Sequence, residues 1–186
     1  MTGDSLEILS MYWELSNRFS REACKIADSH YSRQKVGSSQ FVAAGSPIVL
    51  IGESALWVSL KQKFQDHDWK GAWNNTLFKN QSGELSSELI IQACAVTRYY
   101  WGVNPQGIIT MIDTKKVRWK RHFGYCYRMA GFREVGFTKV RKLLVLKLFP
   151  EDFPAPLSPK TSQLDLFAWK QPLESAAAVE FDSSPA

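Results

Sequence analysis

Four side chains have types and positions suited to proton transfer: His30, Tyr31, Asp113 and Tyr127. His30 and Tyr31 open the tetrapeptide His-Tyr-Ser-Arg, residues 30–33, where an imidazole titrating near neutrality stands beside a phenol and a guanidinium. Such a group takes or relays a proton or holds an anion, although four residues alone suit a solvated loop equally well. Asp113 follows the apolar run Ile108, Ile109, Met111, Ile112, at the strand end where open α/β sheets place ligands. A carboxylate there is a general base if dehydration raises its pKa, and otherwise a turn cap. Tyr127 lies in Gly-Tyr-Cys-Tyr-Arg-Met-Ala-Gly-Phe, residues 124–132, where a phenol either protonates a leaving group or packs as an aromatic. The loop 79–87 joins a strand to a helix start, a junction whose backbone N–H groups and positive dipole end suit a phosphate. Lys79, Asn80, Gly83, Ser86 and Ser87 are its candidate cofactor contacts. His67 and His122 sit in polar loops with no such neighbours.

These residues need elements to position them. Residues 5–27 carry apolar side chains mostly three and four apart, which predicts an amphipathic helix ending just before His30. Residues 41–42 and 47–51 read as a hairpin about Ala43-Ala44-Gly45-Ser46, followed by strands at 55–60 and 73–79 with a polar loop at 61–72. Ser86 or Ser87 caps a second helix running to about Trp101, and a Pro/Gly/Asn turn precedes the strand 108–112. Residues 124–132 read as a short helix stopped by Gly131 in a left-handed cap. A further strand follows it, and 139–149 form the last. The order describes a mixed α/β sheet with helices on its faces.

The 186 residues suit one domain with a tail, and 45% hydrophobic content is enough for a core. Three scattered cysteines give neither a metal framework nor a disulfide scaffold, which fits a reducing cytoplasm. No apolar run reaches the length of roughly 18 residues that a membrane span needs, and the N-terminus lacks a signal-peptide pattern. Charge is unevenly placed. Residues 113–142 hold ten lysines and arginines against two acids, whereas residues 151–186 hold six acids against two lysines. A basic, aromatic-rich body suits a polyanionic partner, most simply nucleic acid, with a solvated basic face as the bland alternative. Arg33, Lys115, Lys116, Arg118, Lys120 and Arg121 are the expected contacts.

The ordered pieces His30–Arg33, Phe78–Asn80, Ser86–Ile90, Asp113 and Gly124–Phe132 resemble the Mom DNA-modification proteins of phages, within the GNAT acyltransferase superfamily. They are closest to phage and prophage members with a Ser-Ser-Glu-Leu-Ile helix start and a Gly-Tyr-Cys-Phe/Tyr helix. The resemblance covers residues from about 28 to 136. It implies a GNAT-like mixed, mostly antiparallel sheet flanked by helices, with residues 1–150 as the catalytic domain. It also implies acyl or aminoacyl transfer to the exocyclic amine of adenine in double-stranded DNA, protecting phage DNA from restriction. Catalytic roles fall on His30, Tyr31, Asp113 and Tyr127, with Asp113 and His30 both open as the base. The donor implied is acyl-CoA or an aminoacyl-tRNA. Iron enters only through the family, without a ligand set beyond His30 and Asp113. Lys79 stands where the family carries arginine, and lysine makes no planar bidentate contact. Of the family's glycine-rich pyrophosphate turn only Gly83 is present. The alternatives are a GNAT-like enzyme acting on a protein or small amine, and a non-catalytic nucleic-acid or clamp-binding module.

Residues 151–186 read as a Pro-rich linker and a mostly disordered tail. Within it Gln163-Leu164-Asp165-Leu166-Phe167 resembles peptides that dock on the bacterial sliding clamp. Leu166 and Phe167 would fill an apolar pocket there, with Gln163 bonding at a second subsite. Folding of this apolar cluster back onto the body is the alternative.

Overall fold

The computed structural model describes residues 11–65, 68–117 and 122–160. Seven strands make one sheet: β1 Glu14–Ser16, β2 Gly45–Gly52, β3 Ala55–Gln62, β4 Trp73–Asn80, β5 Ile108–Ile112, β6 Arg133–Phe137 and β7 Leu144–Leu148. Their order is β1-β2-β3-β4-β5-β7-β6, and every neighbouring pair is antiparallel except β4 with β5. Three helices flank it: α1 Arg21–Asp28, α2 Ser86–Trp101 and α3 Tyr125–Met129. The fold is therefore mixed α/β with a mostly antiparallel sheet. No described helix is long and apolar enough to cross a membrane.

Alternation along β3 explains the layers. Trp57 packs with α2 residues Leu89, Ile90 and Ala93 in the main core. Leu56, Val58 and Leu60 point to the other face and pack with Ala23 and Ala27 of α1. A strand covered on both faces needs apolar residues at consecutive positions, and residues 55–60 are all buried. A third cluster, Ala72, Ile109 and Val145 with Trp69 and Met111 beside it, continues the α1 face towards β7.

The feature that shapes the site is the junction of β4 and β5. Val58 pairs with Leu77 but its neighbour Ser59 pairs with Asn75, so Thr76 is an extra, bulged residue. A bulge bends its strand and increases local twist. The parallel register of β4 with β5 covers Trp73–Asn75 against Ile108–Thr110. Beyond it β4 runs on to Asn80 and β5 to Ile112, and the split between them is the mouth of a cleft.

Several sequence expectations need correction. The helix over 5–27 is eight residues long, Arg21–Asp28, and β1 lies before it; residues 5–10 are outside the described set. Ser20 caps this helix, its Oγ accepting from Ala23 N at 3.2 Å. Trp13, assigned to the same helical face, is fully buried and donates its indole N–H to Leu89 O at 2.8 Å. The hairpin expected about 43–46 is instead β2–β3, joined at Glu53-Ser54, while Phe41 and Val42 lie in a loop. The strand at 139–149 shrinks to β7, because residues 138–143 close a tight connection with Lys142 at φ 52°. The run after Pro150, expected as a linker, lies along the body. Pro150–Asp152 form a 3-10 turn, Phe153 is buried, and Arg98 donates to Phe153 O and Pro154 O at 3.1 and 3.0 Å. Lys160 N donates to Trp13 O at 2.8 Å. The clamp-like motif, residues 163–167, lies outside the described residues.

Candidate functional site

A cleft of about 540 Å³ occupies the β4–β5 split. His30 and Tyr31 enter it from just beyond α1, Thr76 to Asn80 from the bulged half of β4, and Tyr127 from α3. Residues 30, 31 and 127, assigned from sequence alone, thus meet in one cavity. Asp113 stands at its edge, where its neighbours Ile112 and Lys116 form part of the lining.

The local chemistry of each group differs from the sequence expectation. His30 Nδ1 is 2.7 Å from Ser32 Oγ and accepts from Ser32 N at 3.3 Å. A backbone N–H can only donate, so these partners assign the ring proton to Nε2. Burial, and secondarily the charge of Lys79, lower the His30 pKa to about 4. The ring is therefore a neutral hydrogen-bond donor at physiological pH, with its basic nitrogen engaged by Ser32. Tyr31 is 39% exposed and stacks on His30 with ring centroids 4.4 Å apart. Burial raises its pKa, and Asp113 acts on it both through a backbone hydrogen bond and through its charge.

Asp113 accepts from Lys115 N through Oδ1 at 3.1 Å, while its carbonyl accepts from Lys116 N and Val117 N. It caps the turn after β5, and one carboxylate oxygen is engaged by that turn. Tyr127 is buried in an aromatic box with Phe78 and Phe132 at centroid distances of 6.0 and 5.3 Å. Its hydroxyl donates to Asn75 Oδ1 at 2.5 Å, and burial holds its pKa well above the usual phenol range. A proton so committed is not poised for a leaving group.

Asn75 was not legible as a site residue, yet it organises this wall. Its Oδ1 also accepts from Thr110 Oγ1 at 3.3 Å, and its Nδ2 donates to Val58 O and Leu77 O at 3.1 and 3.0 Å. The available signal was an amide pair, Asn74-Asn75, inside a stretch that reads as a strand, where asparagine is disfavoured. Beside it Thr76 Oγ1 is buried and has no hydrogen-bond partner among the described residues. A buried, unsatisfied hydroxyl on the bulged residue of a cleft wall suits a ligand polar atom.

The remaining expected residues divide by position. Lys116 lines the cleft and Lys115 is exposed beside it, while Arg118, Lys120 and Arg121 lie outside the described residues. Arg33 is corrected from a nucleic-acid contact to a clamp. Its side chain is 8% exposed, bonded to Asp28 at 2.7 Å, to Gln40 O at 2.8 Å and to Ser38 O. Lys79 donates to Ser29 O at 3.3 Å, tying β4 to the end of α1. In the loop before α2, Asn80 bonds Ser82, Glu84 O and Ser86, closing the turn on itself. Ser86 lines the cleft and Ser87 is buried. A Cβ on Gly83 would meet nothing within 4 Å, so no close approach requires glycine there. Leu85, not Ser86 or Ser87, is the N-cap of α2, and Glu22, Glu53, Glu84 and Glu88 line the cavity beside it. These acids would repel a diphosphate, and the loop does not fit the CoA pyrophosphate. Among the described residues no three His, Cys, Asp or Glu side chains group as metal ligands, and Asp113 is engaged in its turn; this set does not fit iron.

Compared with protein-family models, with curated proteins and with solved structures, the chain matches none.

Proposed function

We propose that this protein transfers an acyl or aminoacyl group from an activated ester, of which an aminoacyl-tRNA is the type, to an amine, with the exocyclic amine of adenine in DNA as the acceptor. The observation that carries the reaction class is the split between parallel β4 and β5, lined by a neutral His30, the unsatisfied Thr76 hydroxyl and Tyr31. The acceptor rests on the resemblance to Mom-like proteins and on the basic residues at the cleft edge. The seven-stranded order and the split support a GNAT-like reading of the sheet.

In the reaction the amine nitrogen attacks the carbonyl carbon, a C–N bond forms, and the bond from that carbon to the carrier's ester oxygen breaks. His30 Nε2–H and Thr76 Oγ1–H are the donors suited to the carbonyl oxygen as it gains charge. One proton must leave the amine and one must reach the departing carrier atom. Tyr31, partly exposed and beside Asp113, is the relay this geometry favours. Tyr127 and Asn75 hold the wall rigid. Adenine inside a duplex is out of reach, so the base must leave the stack.

The test is mass spectrometry of nucleosides from cells producing the protein. The expected result is a deoxyadenosine derivative heavier by an acyl or aminoacyl group, lost with His30→Ala and strongly reduced with Tyr31→Phe. Unmodified nucleosides despite folded protein refute transfer to DNA. The engagement of Asp113 by Lys115 N and of Tyr127 by Asn75 favours a second reading, a binding module without catalysis. In that case nucleic-acid affinity remains, and His30→Ala changes no product.

A further inference from the structure

A second cavity, about 630 Å³, lies on the α1 face of the sheet. The register establishes the face: Asn74 pairs with Leu60 and Ile109, whose side chains pack on that side. Met111 lines both this groove and the cleft, so the two cavities share a wall. Neither the motifs nor the proposed chemistry accounts for its lining.

One bank is made by residues 64, 65 and 68–72, between β3 and β4. Gln65 holds it by donating to Ala72 O at 2.9 Å and accepting from Gly71 N at 2.5 Å, and Asn104 donates to Gly71 O at 2.8 Å. This bank carries Phe64, 71% exposed, with Trp69 and Lys70. The other bank is the β6–β7 turn, closed by Thr138 N to Leu143 O at 2.9 Å, and it carries Lys139, Val140 and Arg141. Val140 is 90% exposed. On the floor, the amides of Asn74 and Gln62 meet at 3.4 Å. Asp68 and Lys139 pair across the groove at 2.7 Å, with side chains 53% and 80% exposed. A pair so exposed contributes little to stability and exchanges readily for another anion.

We infer that this groove binds single-stranded nucleic acid, and that the acceptor strand runs from it past Met111, at their common boundary, to the cleft. The inference rests on the amine-transfer reading for its purpose, and on the groove alone for its ligand. The exposed ring of Phe64 is a stacking platform for an unpaired base, with the half-buried Trp69 beside it, and a basic rim tracks the phosphates. Among the described residues Lys70, Lys139 and Arg141 outnumber the one lining acid, Asp68, which supplies the charge complementarity. Amides on the floor can bond the edges of a splayed base, a contact that a duplex would not offer. Asp68 acts as a stand-in for a phosphate, holding Lys139 until a strand displaces it.

Fluorescence anisotropy with the full chain and a labelled deoxyoligonucleotide of roughly 12 nucleotides tests this. Tight, salt-sensitive binding is expected, weakened about tenfold or more by Lys70→Glu with Arg141→Glu and about tenfold by Phe64→Ala. Asp68→Asn should strengthen binding several-fold, a gain that damage to the fold would not produce. These positions are on the surface, and unchanged thermal unfolding verifies that each variant is folded. Wild-type affinity in the charge-reversed variant, no gain from Asp68→Asn, or stronger binding of the matching duplex overturns the inference. If cellular DNA is modified but the groove variants modify it equally, the groove fails and amine transfer stands. If the groove variants lose binding while wild-type cells contain no modified nucleoside, the groove stands and amine transfer fails.

Discussion

His30 carries its proton on Nε2 because Ser32 occupies Nδ1, and this changes what the residue can do. The sequence places an imidazole near a cleft, but its tautomer depends on a neighbour two residues away, and its pKa depends on burial and on Lys79 from another element. Asp113 shows the converse: its position at a strand end was legible, and of the two roles the sequence offered it, the structure displays the turn cap. A measurable consequence follows for His30. Its folded pKa, about 4, lies below the ordinary 6.5, so below pH 6.5 the unfolded chain binds a proton that the folded chain excludes. The stability this contributes is complete above about pH 6.5 and is lost as pH falls towards 4. Wild-type protein should lose thermal stability between pH 7 and pH 4.5 more steeply than His30→Gln. Ring-nitrogen NMR shifts should report the neutral Nε2–H form down to about pH 5. An inflection near 6.5 would refute the assignment.

Elements were legible where burial pattern and length agreed. The runs 55–60 and 108–112 are strands because apolar residues at nearly consecutive positions need cover on both faces, 73–79 is a strand despite its amides, and 86–101 is a helix long enough for its boundaries to show. The first helix misled because three- and four-residue spacing also arises by chance in a segment that is not helical, and Trp13, just before β1, is buried against α2 rather than on a helical face of its own. The bulge at Thr76 and the β4–β5 split left no periodic trace, since they depend on pairing with other strands. The small helix α3 illustrates how an element controls a site residue. Gly124 precedes it at φ 67°, and a Cβ there would stand 2.5 Å from Leu146 Cδ1 and 2.6 Å from Ile112 Cδ1. Both the backbone conformation and the two core methyl groups require glycine. Gly124→Ala should destabilise the protein by about 2 kcal/mol in denaturant unfolding. It should also displace Tyr127, reducing the fluorescence or NMR signature of its contact with Asn75. Wild-type stability would mean that the start of α3 is held elsewhere.

At the scale of the whole molecule, the chain's last described segment closes the body rather than leaving it. Phe153 fills the core beside Trp73 at a ring distance of 6.1 Å, Leu157 N donates to Ala95 O at 3.3 Å, and Lys160 forms a parallel bridge with Glu14 at the sheet edge. The proline content of 150–159 suggested a tether, but Pro also suits an extended strap that needs few backbone donors. Truncation after Pro150 should therefore lower the melting temperature by roughly 10 °C, through loss of a buried phenylalanine and its neighbours. Truncation after Lys160 should leave it unchanged. This bears on the clamp-like motif at Gln163, which starts only three residues beyond Lys160. That span is at most about 11 Å of extended chain. If Leu166 and Phe167 seat in a clamp pocket, the β1 edge must come close to the clamp surface, and the reach given by a long flexible linker is absent. A peptide of residues 160–171 should then bind purified clamp at tens of micromolar, lose binding when Leu166 and Phe167 are both alanine, and bind more tightly than the full chain. Inserting a Gly-Ser spacer after Lys160 should restore the full chain to the peptide's affinity. Binding that survives the double alanine change removes the clamp from the account. A full chain that binds as tightly as the peptide removes the steric argument while leaving the docking intact.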